Sequence, residues 1–254
     1  MTHRILILGG TTEARQLAGK LAPRRDLDVT LSLAGRTQDP VAQPVPVRTG
    51  GFGGAEGLAA YLRDQEITLL VDATHPYAAR ISANAALAAR QSGVPALRLH
   101  RPAWEPSPGD RWQMVDGAED AVRALGAAAR RIFLALGRQE IAPFETAPAH
   151  FFLIRSVDPV APPLAVPDAA YILGRGPFGE AEELDLLERW RIDTIVCKNS
   201  GGTATYAKLA AARRLGIDVL MFRRPDTPDM PSAGSVEEAL AMIDHRLTST
   251  NRGE

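Results

Sequence analysis

The chain has 254 residues, enough for one large domain or two modest ones, and a formal net charge of −1 from 29 Lys plus Arg against 30 Asp plus Glu. That balance argues against a nucleic-acid binder, which carries a basic excess or stripe, and against a polybasic membrane-surface protein. Hydrophobic residues make up 45% and aromatic ones 6%, so the expected core is aliphatic and Ala-rich.

Short β-rich runs alternate with Ala/Leu-rich, helix-patterned segments almost from end to end. Strands are predicted at Arg4–Leu8, Asp28–Leu33, Thr68–Asp72, Ala96–His100, Ile132–Leu136, Phe151–Ser156, Ala170–Leu173, Thr194–Cys197 and Val219–Phe222. Helices are predicted at Thr12–Leu21, Gly54–Asp64, Tyr77–Gln91, Glu119–Arg130, Glu180–Arg189, Thr203–Leu215 and Val236–Leu247. Strands that are apolar throughout and separated by helices belong to parallel sheets covered on both faces. The expected fold class is therefore α/β, with two Rossmann-like domains, mostly parallel sheets and an interdomain cleft. A turn-rich stretch, 101–111, interrupts the pattern before one helix and a fresh strand at Arg131. The expected domains are 1–128 and 129–254. The Pro-rich stretch Asp158–Asp168 reads as a connection inside the second half, and the acidic segment Glu180–Glu183 as a solvated first helical turn.

The single cysteine, Cys197, excludes a disulfide framework or a Cys-based metal site within one chain. It closes the apolar run Asp193-Thr-Ile-Val-Cys197 and reads as a small buried hydrophobe. No His-x-x-x-His or His-Glu metal motif is present, so no metal is expected. The N-terminus, Met1-Thr-His-Arg-Ile-Leu-Ile-Leu8, lacks the order of a signal peptide, and no apolar run approaches the ~18 residues of a membrane span. The expectation is a soluble, cytoplasmic protein with neither membrane nor nucleic-acid partner; oligomeric state is not legible.

The first chemical feature is Leu8-Gly9-Gly10-Thr11-Thr12-Glu13-Ala14. An apolar strand ends in two glycines and a helix opens on hydroxyls, an arrangement in which backbone N–H groups and the helix N-terminus face a phosphate. Gly9 and Ala14 fit the ends of a dinucleotide fingerprint, while Thr11 replaces its middle glycine; a plain tight turn is the alternative. The second strand offers no acid for an adenosine ribose. It is followed by Arg36 and Thr37, where a 2′-phosphate would lie, which favours NADP over NAD unless Arg36 is simply an exposed loop residue. Gly50-Gly51-Phe52-Gly53-Gly54 suits a loop closely approached by a ligand. Asp72-Ala-Thr74-His75-Pro-Tyr77 clusters polar groups at a strand's C-terminal end, where open α/β sheets bind ligands. His75 and Tyr77 are its proton-transfer candidates.

In the second half, Gly137-Arg138, Gly174-Arg175 and Lys198-Asn199-Ser200-Gly201-Gly202 each follow a predicted strand and pair glycine with a cation. Three such turns on one sheet edge would form a rim suited to anions. The residues four places after Tyr61, Tyr77, Tyr171 and Tyr206 are Gln65, Ile81, Arg175 and Ala210, so the Tyr-x-x-x-Lys dyad of short-chain dehydrogenases is missing. Gly-x-Ser-x-Gly and Walker loops are absent as well.

Taken together, Leu8–Ala14, Ser32-Leu-Ala-Gly-Arg-Thr37, Gly50-Gly-Phe-Gly53, Asp72–Ala78 and Lys198–Gly202 resemble the precorrin-6A reductase family of cobalamin biosynthesis, over most of the chain as far as about Pro225. The resemblance implies NADPH-dependent reduction of one double bond in a polycarboxylate tetrapyrrole, giving precorrin-6B. It implies that Gly9, Gly10, Thr11, Thr12 and Glu13 hold the pyrophosphate, Arg36 and Thr37 the 2′-phosphate, and Gly51, Phe52 and Gly53 the middle of the cofactor. Asp72 and Thr74 would complete the cofactor site, with His75 and Tyr77 catalytic beside the nicotinamide. Arg138, Arg175, Lys198, Asn199, Ser200, Gly201 and Gly202 would take substrate carboxylates. A reductase of a smaller carbonyl or imine, or a nucleotide-sensing module without turnover, are the alternatives. The choice between metal-free and cobalt-containing substrate stays open.

Overall fold

A computed structural model describes residues 2–35 and 41–250 of the chain, and the side chains of these as far as residue 248. Two compact units emerge: Met1–Pro102 together with Pro225–Glu254, and Ala103–Arg224. In chain order the first unit contains β1 (His3–Leu8), α1 (Thr12–Leu21), β2 (Leu27–Leu33), β3 (Val47–Thr49), α2 (Gly54–Asp64), β4 (Leu69–Asp72), α3 (Ala79–Ser92) and β5 (Ala96–Leu99). The second contains β6 (Trp112–Val115), α4 (Ala118–Leu125), β7 (Arg131–Ala135), β8 (Phe151–Ser156), β9 (Ala169–Leu173), α5 (Glu180–Arg189), β10 (Thr194–Lys198), α6 (Ala207–Leu215) and β11 (Asp218–Phe222). The chain then returns to the first unit with β12 (Ser232–Ala233) and α7 (Val236–Thr250).

Each unit is built on a six-stranded sheet whose pairings are all parallel, ordered β12-β5-β4-β1-β2-β3 and β6-β11-β10-β7-β8-β9. The two orders match. In each, five consecutive strands start at a central one (β1 or β7), run outward on one side and then outward on the other, which creates a topological switch point at β1/β4 and again at β7/β10. The sixth strand is supplied by the segment before the other five in the second unit and by the segment after them in the first.

That exchange corrects the expected division at 128/129. Trp112–Val115 zips onto β11 in the second sheet, whereas Ser232–Ala233 pairs with β5 in the first. Trp112–Val115, Val47–Thr49 and Ser232–Ala233 are also the strands not predicted from sequence. All three are edge strands of two to four residues, too short to show a period. Helices α1, α2 and α5 span their predicted limits. Helix α4 stops early, at Gly126, and α6 starts late, at Ala207, because residues 203–206 form a turn of their own in which the Tyr206 N–H donates to Thr203 O (3.2 Å).

The cores are aliphatic as expected. In the first unit Ile5, Ile7, Leu31, Val71 and Leu97 pack under α1 and α7, while Leu6, Leu8 and Leu70 pack under α2 and α3. The apolar face of the second sheet that carries Phe133, Leu153, Ile195, Cys197 and Met221 is covered by α5 and α6. Cys197 is fully buried and free, as its apolar run predicts.

Candidate functional site

Because every strand is parallel, the loops leaving β1, β3, β4 and β5 emerge on one edge of the first sheet. At the switch point, Thr11 caps α1: its Oγ1 accepts from the Ala14 N–H (3.1 Å) and donates to the carbonyl of Ala73 (2.9 Å). The hydroxyl thereby ties the turn after β1 to the end of β4. Gly9 lies close over β2, where an added Cβ would come within 2.7 Å of Leu31 Cδ1. Gly10 sits at φ +115 with open space beside it. Glu13, the acid in the first turn of α1, is neutralised by Arg101 at the end of β5. An unpaired carboxylate there would repel a phosphate; a paired one does not.

The glycine loop after β3 is held from beneath by Arg48. Its guanidinium donates to the carbonyls of Gly50 (2.6 Å) and Gly51 (2.7 Å) and lies 3.7 Å from the centroid of Phe52, whose ring meets Tyr61 edge-on. The outer side of this loop is open, with no atom within 4 Å of where a Cβ on Gly50, Gly51 or Gly53 would stand.

After β4, Asp72 is 1% exposed; its Oδ1 accepts from the Thr74 N–H (3.1 Å) and from Thr74 Oγ1 (2.7 Å). Its Oδ2 is enclosed and has no partner among the described residues. His75 Nδ1 accepts from the Tyr77 N–H (3.3 Å), and the two rings stand 5.7 Å apart. A neutral His75 in this arrangement carries its proton on Nε2.

In the second unit, Arg138 and Arg175 lie in the turns after β7 and β9 and Lys198 closes β10, so the topology brings all three to one sheet edge. Their charges are partly offset. Arg138 reaches Asp158 (3.4 Å), and Lys198 Nζ donates to Glu140 Oε1 (2.5 Å) across the β7/β10 switch point. Arg175 is exposed. The side chain of Asn199 clamps the main chain of Trp104, and Gly202 O accepts from Trp104 Nε1 (2.7 Å), so these two motif residues brace their own loop. Beneath lies a charged layer for which the sequence carried no signal: Arg155 pairs with Glu183, 2% exposed, and stacks 3.8 Å over Phe178. Glu183 therefore departs from the solvated turn expected of Glu180–Glu183, because it faces inward to a cation while Glu180 stays exposed.

The structure thus gathers Gly9, Gly10, Thr11, Thr12, Glu13, Gly51, Phe52, Gly53, Asp72, Thr74, His75 and Tyr77 on the edge of one sheet and the second group on the edge of the other. Arg36 and Thr37 lie outside the described residues. Arg48, Arg101 and Trp104 could have been suspected only from their place beside motifs, since an isolated arginine or tryptophan shows no period. Among the described residues no group of three His, Cys, Asp or Glu could hold a metal, and no helix is long and apolar enough to cross a membrane.

Two doubly wound sheets, one opening on a glycine turn at its switch point, define a Rossmann-like α/β protein with ligand-accepting strand edges. The family model described as Precorrin-6x reductase CbiJ/CobK matches residues 4–244, and the chain belongs to that family of cobalamin-biosynthetic reductases. It is 60% identical to a precorrin-6A reductase from Sinorhizobium sp over 96% of this chain and 94% of that one. It is 48% identical to a precorrin-6A reductase from Rhodococcus erythropolis over 98% and 99%. A solved structure described as CobK precorrin-6A reductase superposes with a TM-score of 0.91 at 44% identity, covering 96% of this chain and 97% of that one. The family resemblance drawn from the motifs is thereby confirmed.

Proposed function

We propose that the protein uses NADPH to reduce one double bond of the precorrin-6A macrocycle, giving precorrin-6B. The observation that carries the cofactor reading is the turn at the β1/β4 switch point: an open glycine at φ +115, the N-terminus of a ten-residue helix, and a first-turn acid already neutralised by Arg101. Donors face outward there without a competing charge, which suits a pyrophosphate. Arg36 and Thr37 would hold the 2′-phosphate, and the open loop Gly51-Phe52-Gly53, stiffened by Arg48, would border the middle of the cofactor. NADPH supplies the hydride when bound. The chain's own part is to hold the macrocycle against that face and to manage one proton at the neighbouring carbon. His75 Nε2 is the proposed donor, with Thr74 and Asp72 fixing the loop that carries it and Tyr77 beside it.

Arg138, Arg175 and Lys198, with the amides of Ser200–Gly202, would take substrate carboxylates, Asn199 acting by keeping that loop in place. The metal-free substrate is favoured: relatives named for precorrin-6A are 44% to 60% identical, whereas one named for cobalt-precorrin-6A, from Priestia megaterium, is 26% identical. The test is an anaerobic NADPH-oxidation assay with metal-free and cobalt-containing substrate, repeated with NADH. Oxidation dependent on precorrin-6A and preferring NADPH is expected. No substrate-dependent oxidation would exclude the reading, and equal use of NADH would remove the role given to Arg36.

A further inference from the structure

Across the C-terminal end of the first sheet, one residue from each strand falls in a single register row: Arg48, Ser32, Leu8, Asp72, Arg98 and Ser232. Register partners in a parallel sheet share a face, and Leu8 places this row on the face covered by α2 and α3. On one side of the row the cation is committed: Arg48 is bonded to the glycine loop. On the other side it is not. Arg98 is only 5% exposed, yet among the described residues its guanidinium has no hydrogen bond and no ion pair. Asp72, its register neighbour, directs Oδ1 to Thr74 and keeps Oδ2 enclosed without a partner among the described residues, so it does not pair with Arg98. Helix α3 starts at this same end with neither a side-chain cap nor an acid in its first turn. A guanidinium with no acceptor of its own, on the face of an uncapped helix start, can take an added anion at this corner of the sheet.

We infer that Arg98 binds a carboxylate of the tetrapyrrole substrate. The assignment rests on the proposed function in one respect, the path of the cofactor. Its phosphates belong to the turn after β1 and the segment after β2, so a dinucleotide running along the edge ends with its nicotinamide at β4. The next strand outward, β5, carries Arg98. An anion held there comes from whatever lies against the nicotinamide, and the proposed substrate is a polycarboxylate. Guanidinium and carboxylate make the charge-assisted, bidentate pair that fixes orientation as well as affinity.

The test compares Arg98→Met and Arg98→Lys with the parent enzyme for KM and kcat towards precorrin-6A, for NADPH affinity by fluorescence titration, and for Tm. The expected result for Arg98→Met is a KM raised about tenfold to a hundredfold, with NADPH affinity unchanged and partial recovery in Arg98→Lys. An unchanged KM, an NADPH affinity that falls in step with KM, or loss of folding in both variants would each overturn the inference. If the parent enzyme itself fails to oxidise NADPH with precorrin-6A, the functional reading fails and takes this inference with it; parent turnover with an indifferent Arg98 overturns the inference alone.

Discussion

The side-chain amide of Asn199 holds the main chain of Trp104 from both sides, accepting from its N–H at 2.8 Å and donating to its carbonyl at 2.9 Å. The indole adds a bond to Gly202 O, and the Lys208 ammonium sits 4.9 Å from its ring centroid. The loop after β10 is therefore built around a residue from the stretch that precedes β6. Asn199→Ala removes two bonds at a 6% exposed position, and a loss of about 2–3 kcal/mol in urea unfolding is expected. Trp104→Phe keeps the main-chain clamp and loses the indole bond, so its cost should be about 1 kcal/mol. Equal effects of the two variants would contradict this division of roles.

Two helical glycines should respond to alanine in opposite ways. In α2, a Cβ on Gly57 would stand 1.7 Å from the carbonyl oxygen of Phe52, so Gly57→Ala must push the glycine loop off its seat on Arg48. Lower Tm and NADPH affinity weakened about tenfold or more are expected together. In α1, a Cβ on Gly19 would meet only Pro44 Cγ at 3.7 Å, an ordinary contact. Gly19→Ala should stabilise the protein by about 0.5–1 kcal/mol through helix propensity and leave NADPH affinity alone. Thermal melts with cofactor titration on both variants check the contrast.

Legibility from sequence followed the length of the signal. Long apolar strands and amphipathic helices are legible to within a few residues, and so is the position of the turns Gly9–Glu13, Asp72–Tyr77 and Lys198–Gly202 at strand C-termini, the edge where open parallel sheets accept ligands. The division of the chain was misplaced because it depended on β6 and β12, four and two residues long, whose partners are distant in sequence. The pairings that temper the anion rim, Arg138 with Asp158 and Lys198 with Glu140, were hidden for a related reason. A charge in sequence is visible, but its partner is a property of the fold. Arg155 and Glu183, 28 residues apart, are the pair of the three that is buried on both sides.

His75 offers a separable test of the proton step. Its Nδ1 accepts the Tyr77 N–H, so asparagine, whose side-chain oxygen can take over that bond, keeps the loop while removing the titrating ring. Both His75→Asn and His75→Ala should lower kcat by about a hundredfold or more and flatten the pH–rate profile, with NADPH affinity unchanged in His75→Asn. Full turnover by His75→Asn would assign the proton to water.

Lys208 gives the stability of the second unit a pH dependence whose sign can be derived. Its ammonium is 4% exposed and donates to Thr205 O; burial, with Arg155 nearby, pushes the amine below its ordinary value near 10.5. The unfolded chain keeps this proton up to about pH 10.5, whereas the folded chain releases it earlier. Between the two, the unfolded state binds more protons, so the amine's contribution to stability rises with pH. Cys197 acts in the other direction, because burial pushes its thiol above the ordinary 9.0 and the unfolded chain ionises first as pH climbs past that point. The two groups also act on each other, the ammonium drawing the thiol down, so the parent and Lys208→Met are both compared in a Cys197→Ala background, where their difference isolates Lys208. Urea unfolding at a series of pH values from 7 to 10 should show the parent gaining on Lys208→Met as pH rises. A difference that stays flat, or that shrinks, would mean the buried amine holds its proton throughout.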